Sequence, residues 1–164
     1  MKTDNCSDFL IFHLDDQAYG IKLKTVVRTI RSVEVLKIPD APEKMLGVVN
    51  VQGNITFVAN IRKCLRLPER DVELSDRFII ARTSSVPLIL VTDSISGVVT
   101  LTEEEVATGK EIINETEGFV EGVAKLDDGL VLILELERLL DLVDASQLEF
   151  TISDAKQISQ QEVH

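Results

Sequence analysis

Residues 46–62 read Leu46-Gly47-Val48-Val49-Asn50-Val51-Gln52-Gly53-Asn54-Ile55-Thr56-Phe57-Val58-Ala59-Asn60-Ile61-Arg62. Val49 and Val51 alternate with Asn50 and Gln52 until Gly53-Asn54 breaks the run. Ile55, Phe57, Ala59 and Ile61 then take every second position, with Thr56, Val58 and Asn60 between them. Period-two alternation on both sides of a glycine-containing turn predicts a β-hairpin with one buried face. Asn50, Gln52 and Asn54 gather as a polar cluster at the turn, which is a presented surface more than a chemical site.

On the N-terminal side, Phe9–Leu14 is apolar on both faces apart from His13 and predicts an inner strand with His13 at its rim. Asp15-Asp16-Gln17 turns the chain into a return strand over Ala18–Leu23. Over Lys24–Arg31 the period changes. Val26, Val27 and Ile30 share one helical face and Lys24, Arg28 and Arg31 the other, predicting two turns of amphipathic helix. Val33, Val35 and Ile38 alternate as a further strand, and Pro39 and Pro42 bracket a loop into the hairpin.

On the C-terminal side, a charged connection runs to a stop at Pro68. Strands follow over Phe78–Ala81 and Val86–Val91, joined across Ser84-Ser85. Thr92–Val99 continues as a strand with a bulge at Gly97. Thr102 and Glu105 have capping-box spacing, and 107–118 is a crossing of low hydrophobicity. Asp127-Asp128-Gly129 is a hairpin turn between Phe119–Leu126 and Leu130–Leu136. A helix over Glu137–Val143 has Leu139, Leu140 and Val143 inward, and the polar residues beyond predict a frayed tail. The strand after Gly129 echoes the one after Gly53, each running into paired leucines. Short strands with regular turns predict a mainly β chain of two small barrels, one per half.

A chain of 164 residues with 45% hydrophobic content can build a real core, and 4% aromatics leave that core to Val, Ile and Leu. The net charge of −11 argues against nucleic acid and anionic membrane as partners. Residues 1–82 hold 13 Lys/Arg against 11 Asp/Glu, whereas residues 83–164 hold 4 against 17. Halves of +2 and −13 fit two readings, a solvated acidic surface and a body that associates end to end with other polarised bodies. The N-terminus has no signal-peptide pattern, and no stretch approaches the roughly 20 apolar residues of a membrane span. The expected setting is the cytoplasm.

Catalytic readings fail one by one. Cys6 and Cys64 have no disulfide or metal spacing, and His13 and the terminal His164 supply no base for a cysteine nucleophile. No Gly-x-Ser-x-Gly, phosphate loop or metal cluster is present, so no cofactor or enzyme activity is expected.

The same residues resemble the CheW-like coupling proteins of bacterial chemotaxis over roughly 9–143. Gly47, Val48, Asn50, Gly53, Ile55, Val58, Ile61 and Arg62 fall on the family pattern of a glycine, Val-x-Asn-x-Arg-Gly, an aliphatic, a proline and a closing Asp-Leu-Arg. Tyr19-Gly20-Ile21 with Val26 is similar to the family's first hairpin and helix. Val91-Thr92-Asp93 with Ile95 and Val98 is similar to its Val-Asp segment, and Leu130–Leu140 to its closing unit. Four positions depart: Gln52 replaces an arginine, Phe57 a proline, Asn60 an aspartate and Arg28 an acidic residue.

The resemblance implies two SH3-like five-stranded β-barrel subdomains with short helices, exchanging near 63–77 and 102–118, with 144–164 as a tail. It implies a non-enzymatic scaffold joining chemoreceptor tips to the regulatory domain of a histidine kinase. By that likeness Val26, Arg28, Asn50, Gln52, Gly53, Ile95 and Val98 are receptor-contact candidates. Arg62, Lys63, Arg66 and Arg70 are candidates for an edge that meets the kinase. A pilus or gliding chemosensory array is a related setting. A small-molecule-binding β-barrel is the alternative from a different class.

Overall fold

The structure is a computed structural model and describes residues 5–84, 86–107 and 119–141. In chain order its strands are β1 (Cys6–Leu14), β2 (Gln17–Lys22), β3 (Val26–Arg31), β4 (Met45–Val51), β5 (Asn54–Ala59), β6 (Arg77–Arg82), β7 (Pro87–Thr92), β8 (Ser94–Thr102), β9 (Val120–Leu126) and β10 (Gly129–Leu134). Three short helices, α1 (Ile61–Cys64), α2 (Glu103–Ala107) and α3 (Leu136–Asp141), complete the described residues.

The strands form two five-stranded sheets, ordered β8-β1-β2-β10-β9 and β3-β6-β7-β5-β4. These are one pattern used twice. An antiparallel hairpin sits at the centre and the outer hairpin joins it through a parallel pair, Val131–Ile133 on Ala18–Gly20 in one sheet and Phe57–Ala59 on Leu88–Leu90 in the other. Edge strands do not pair across either sheet, so these are SH3-like units without a closing ladder.

The echo between the two glycine-led hairpins therefore reflects two five-strand units. Each unit gives its first two strands to one sheet and its last three to the other. The expectation of one barrel per half is corrected accordingly. The chain passes between sheets at a single 3-10 turn over Leu23–Thr25 and again at Asp93, not at 63–77. Of the other expected passage, 108–118 lies outside the described residues.

Each inner strand is buried on both sides. Phe9 and Ile11 of β1 face Leu101, Ala124 and Ile133 within their own sheet. Leu10, Phe12 and Leu14 face the opposite way, into a cluster shared with Phe57, Ile79, Leu88 and Leu90 of the other sheet. Val58, Phe78, Ile80 and Ile89 fill the second sheet's concave face. The central hairpin hence buries both faces of β5, where one was expected. Aliphatic and phenyl groups fill the interior clusters of both sheets.

Three local expectations change. Residues 26–31 are a strand, not a helix, because β3 pairs with β6 through a bulge between Val26 and Arg28. The bulge breaks the alternation and leaves Val26, Val27 and Ile30 with an accidental helical spacing. Val33, Val35 and Ile38 form no strand; only the bridge between Leu36 and Val48 links that segment to β4, through bonds of 2.8 and 2.9 Å. Gly47 permits this contact, since a Cβ there would stand 2.3 Å from the Leu36 carbonyl oxygen.

The third change is α1, which the charged text after Arg62 concealed. The Gly97 bulge is present, with one extra residue on β8 opposite Ile11 and Phe12. Thr102 and Glu105 make their reciprocal capping bonds at 3.0 and 3.1 Å. In α3 Leu139 is buried as expected, while the side chain of Leu140, all of Val143 and the tail lie outside the described residues.

Candidate docking surface and the charged junction beside it

At the β4–β5 turn, Gln52 and Gly53 both have positive φ, 51° and 88°, the pattern of a type I′ turn. The Gly53 amide donates to Asn50 Oδ1 at 2.8 Å. Asn50, Gln52, Gly53 and Asn54 are all exposed at this tip. A left-handed glutamine costs about 1–2 kcal/mol that asparagine or glycine would largely avoid, so local geometry does not account for Gln52.

A second surface lies where the sheets meet. Thr29, Ile30 and Arg31 of β3 face Ser94 and Ile95 of β8 across an open groove of about 390 Å³, with Ser75, Arg77 and Asp93 at its wall. Val26 and Ile95 also pack onto the shared core, so both have structural roles. Arg28 is exposed on β3, and Val98 is 51% exposed on β8. The structure thus gathers Ile95 with β3 in one groove and Asn50, Gln52 and Gly53 at a hairpin tip.

The four expected kinase-contact residues divide. Arg62, at the start of α1, is 9% exposed. Its guanidinium donates to Asp15 Oδ1 at 3.0 Å, Asp93 Oδ1 at 2.9 Å and the Pro68 carbonyl at 3.0 Å. Arg70 meets both oxygens of the buried Asp76, at 2.7 and 3.0 Å, and also Asp93 Oδ1. Asp93 Oδ2 accepts the Asp15 amide at 2.7 Å. Arg62 and Arg70 are therefore internal ties, which corrects their placement on an open edge. Together they bind the β1–β2 turn, the second crossing between sheets and the β5–β6 connection.

Partial burial alone would push the Asp93 carboxyl up. The Asp15 amide and the two guanidinium groups outweigh burial and hold it below the ordinary carboxylate value. Asp76 and Asp93 raise Arg70 above its usual value, against a smaller opposing effect of burial. Burial, and then the charge of Asp15, raise the Tyr19 hydroxyl, while Arg62 opposes them.

Lys63 and Arg66 remain accessible on α1's outer side. Lys63 is 3.5 Å from Glu43, which is itself largely exposed. Arg66 follows the helix with φ of 58°, and the bonds Leu67 N–H to Arg62 O and Arg66 N–H to Lys63 O make a Schellman end. Glycine is the usual residue there, so Arg66, like Gln52, occupies a position that backbone energetics alone would not select.

Two departures from the family pattern have local explanations. Asn60 caps α1 by accepting the Lys63 amide at 3.2 Å and donates Nδ2 to Glu69 at 2.6 Å, a donation that aspartate could not make. Phe57 is fully buried between the sheets and belongs to no surface.

The charge asymmetry survives the corrected topology and sharpens. Residues 26–92, which build the second sheet, hold 10 Lys/Arg and 7 Asp/Glu, or +3, and the rest of the chain holds 7 and 21, or −14. Among the described residues no three His, Cys, Asp or Glu side chains converge as a metal site, and no helix is long and apolar enough to cross a membrane.

The described residues thus form two filled sheets with exposed edge strands and an open groove between them. The chain belongs to the CheW-like domain family, whose model matches residues 8–144. It is 24% identical over 143 residues to the chemotaxis protein CheW of Thermotoga maritima, covering 85% of this chain and 91% of that one. It is 25% identical to CheW of Bacillus subtilis, covering 80% and 85%. The scaffolding protein TtCheW of Thermoanaerobacter tengcongensis superposes with a TM-score of 0.75 at 27% identity, over 85% of this chain and 94% of that one.

Proposed function

We propose that this protein is a non-enzymatic chemotaxis scaffold that couples chemoreceptor tips to a histidine kinase in the cytoplasm. The observation that carries the reading is the paired-sheet body itself. Two accessible surfaces on this body, the inter-sheet groove with the hairpin tip and the α1 face, support the reading. Arg28, Asn50, Gln52, Gly53 and Val98 serve the receptor side, with Val26 and Ile95 supporting them from the core. Lys63 and Arg66 serve the kinase side, held in place by Arg62 and Arg70.

The test is ternary capture. Immobilised receptor cytoplasmic fragment should retain the kinase regulatory domain only when this chain is present. No capture at any concentration of the three would remove the coupling role.

On the receptor side, Gln52→Arg restores the charge usual in the family. It should tighten binding to a receptor tip from a standard chemotaxis system. A change under about 0.5 kcal/mol, the ordinary scatter of surface substitutions, would leave Gln52 as turn geometry only.

On the kinase side, Arg66→Gly relieves a left-handed arginine and should stabilise the free chain by about 0.5–1 kcal/mol. It should also slow kinase association. Rim charges act mainly on association rate, so raising salt from about 50 to 500 mM, which shortens the screening length from roughly 14 to 4 Å, should slow association and spare dissociation. A salt-insensitive on-rate measured by surface plasmon resonance would assign partner choice to apolar contacts.

A further inference from the structure

Arg31 of β3 and Arg77 of β6 are directly opposite one another in the ladder. The Ser32 amide donates to the Asp76 carbonyl at 3.2 Å in the adjacent pair. That bond makes Arg31 and Arg77 a non-hydrogen-bonded pair, the class in which facing side chains stand closest. Like charges so placed oppose each other across about 4.5–5.5 Å between Cβ atoms and destabilise the sheet. Both residues are exposed, and both line the inter-sheet groove.

Among the described residues no carboxylate pairs with either arginine. Two carboxylates beside the pair, Asp76 next to Arg77 in the chain and Asp93 on the groove wall, are already engaged. Asp76 is held through both oxygens by Arg70, and Asp93, the acidic residue of the groove wall, by Arg62 and Arg70 together. The remaining groove lining is Thr29, Ile30, Ser75, Ser94 and Ile95, which are neutral. A chain of net charge −11 thus keeps two facing guanidinium groups in its inter-sheet groove, without a carboxylate partner among the described residues.

We propose that Arg31 and Arg77 form a carboxylate clamp that receives an Asp or Glu side chain of the receptor segment docked in the groove. Two guanidinium groups converging on one carboxylate make the strong, oriented form of charge-assisted hydrogen bond. Ile95 supplies an apolar surface beside it in the groove. The proposal rests on the receptor-coupling reading above and adds the chemistry that the groove selects. The clamp is separate from the hairpin tip and from Arg28, which pairs with Ile80 and so faces the other side of β3.

The test uses the full chain and a receptor cytoplasmic fragment, with binding measured by isothermal calorimetry. R31Q/R77Q should weaken binding at least tenfold, while the melting temperature of the free chain stays level or rises because the repulsion is gone. R31E/R77E should abolish binding to the native fragment and recover it with a fragment whose docking carboxylate is changed to lysine. Undiminished binding by R31Q/R77Q would overturn the clamp while leaving receptor coupling intact. Failure of the unsubstituted chain to bind any receptor fragment would instead remove the reading beneath it.

Two controls identify other occupants. If a chain truncated after residue 144 changes affinity as the arginine substitutions do, the clamp serves the chain's own acidic C-terminal segment and the proposal fails. If R31E/R77E dissolves a self-associated species in sedimentation, the occupant is a second copy and the proposal fails equally.

Discussion

Arg62→Ala is expected to destabilise the fold by about 3 kcal/mol, the lower end of the cost of removing one partner from a buried charge network. Arg62 has a side chain only 10% exposed, whereas Asp15 and Asp93 are 49% and 27% exposed, so solvent relieves part of the loss. The substitution takes this donor from Asp15 Oδ1 and the Pro68 carbonyl, and leaves Asp93 Oδ1 with Arg70 alone. Arg62→Lys keeps the charge but cannot hold all three, and should recover less than half of the stability. Urea unfolding with an unchanged m value measures both. A loss below 1 kcal/mol for the alanine variant would show that water replaces the guanidinium, and that the junction does not fix the two sheets.

The same network sets the acid limb of stability. The folded Asp93 carboxyl lies below its ordinary value of 3.8. Its contribution is therefore complete above that value and is lost as pH falls through the folded value. Arg70 is shifted the other way, upward, so its contribution is present throughout the acidic and neutral range and is lost only at extreme alkaline pH. Asp93→Asn should flatten the fall in stability below about pH 4 while lowering stability at pH 7.

This network also marks the limit of what the residue pattern discloses. In Leu67-Pro68-Glu69-Arg70-Asp71-Val72-Glu73-Leu74-Ser75-Asp76 one arginine stands among four carboxylates, as it would in a solvated loop. Nothing in that text separates Arg70, fixed on Asp76, from Glu69 beside it. Periodicity reports burial of apolar groups, and it located every strand except β3, where a bulge disguised the alternation. Strand partners were less legible, because both parallel pairings join segments far apart in the chain. Asn50 and Gln52 were readable as presented residues because a tight turn admits few causes for a polar side chain. The Arg31–Arg77 pair was not readable, since only the ladder sets them face to face.

Gly122→Ala is the second large effect, expected to cost about 3 kcal/mol, the upper end of overpacking penalties. Gly122 lies on β9 under α2, and a Cβ there would stand 1.9 Å from the Val106 carbonyl oxygen and 3.2 Å from its Cγ1. Backbone would have to move, and α2 is held at both ends. Its capping box fixes the N-terminal turn on Thr102, and Val106 is buried with Phe9, Leu101 and Ile133 in the first sheet's interior. Lifting the helix withdraws Val106 from that cluster. Gly20→Ala is the matched control, because the nearest atoms to its Cβ are side-chain methyls, Cδ1 of Ile133 and Ile11 at 2.9 and 3.1 Å and Cγ1 of Val131 at 3.5 Å. Those methyl ends rotate aside, so the cost should stay below about 1.5 kcal/mol. Equal losses in the two variants would mean that α2 does not press on β9. A selective loss at Gly122, with receptor affinity per folded molecule unchanged, would place α2 in the structural half of the protein, apart from the groove and the α1 face.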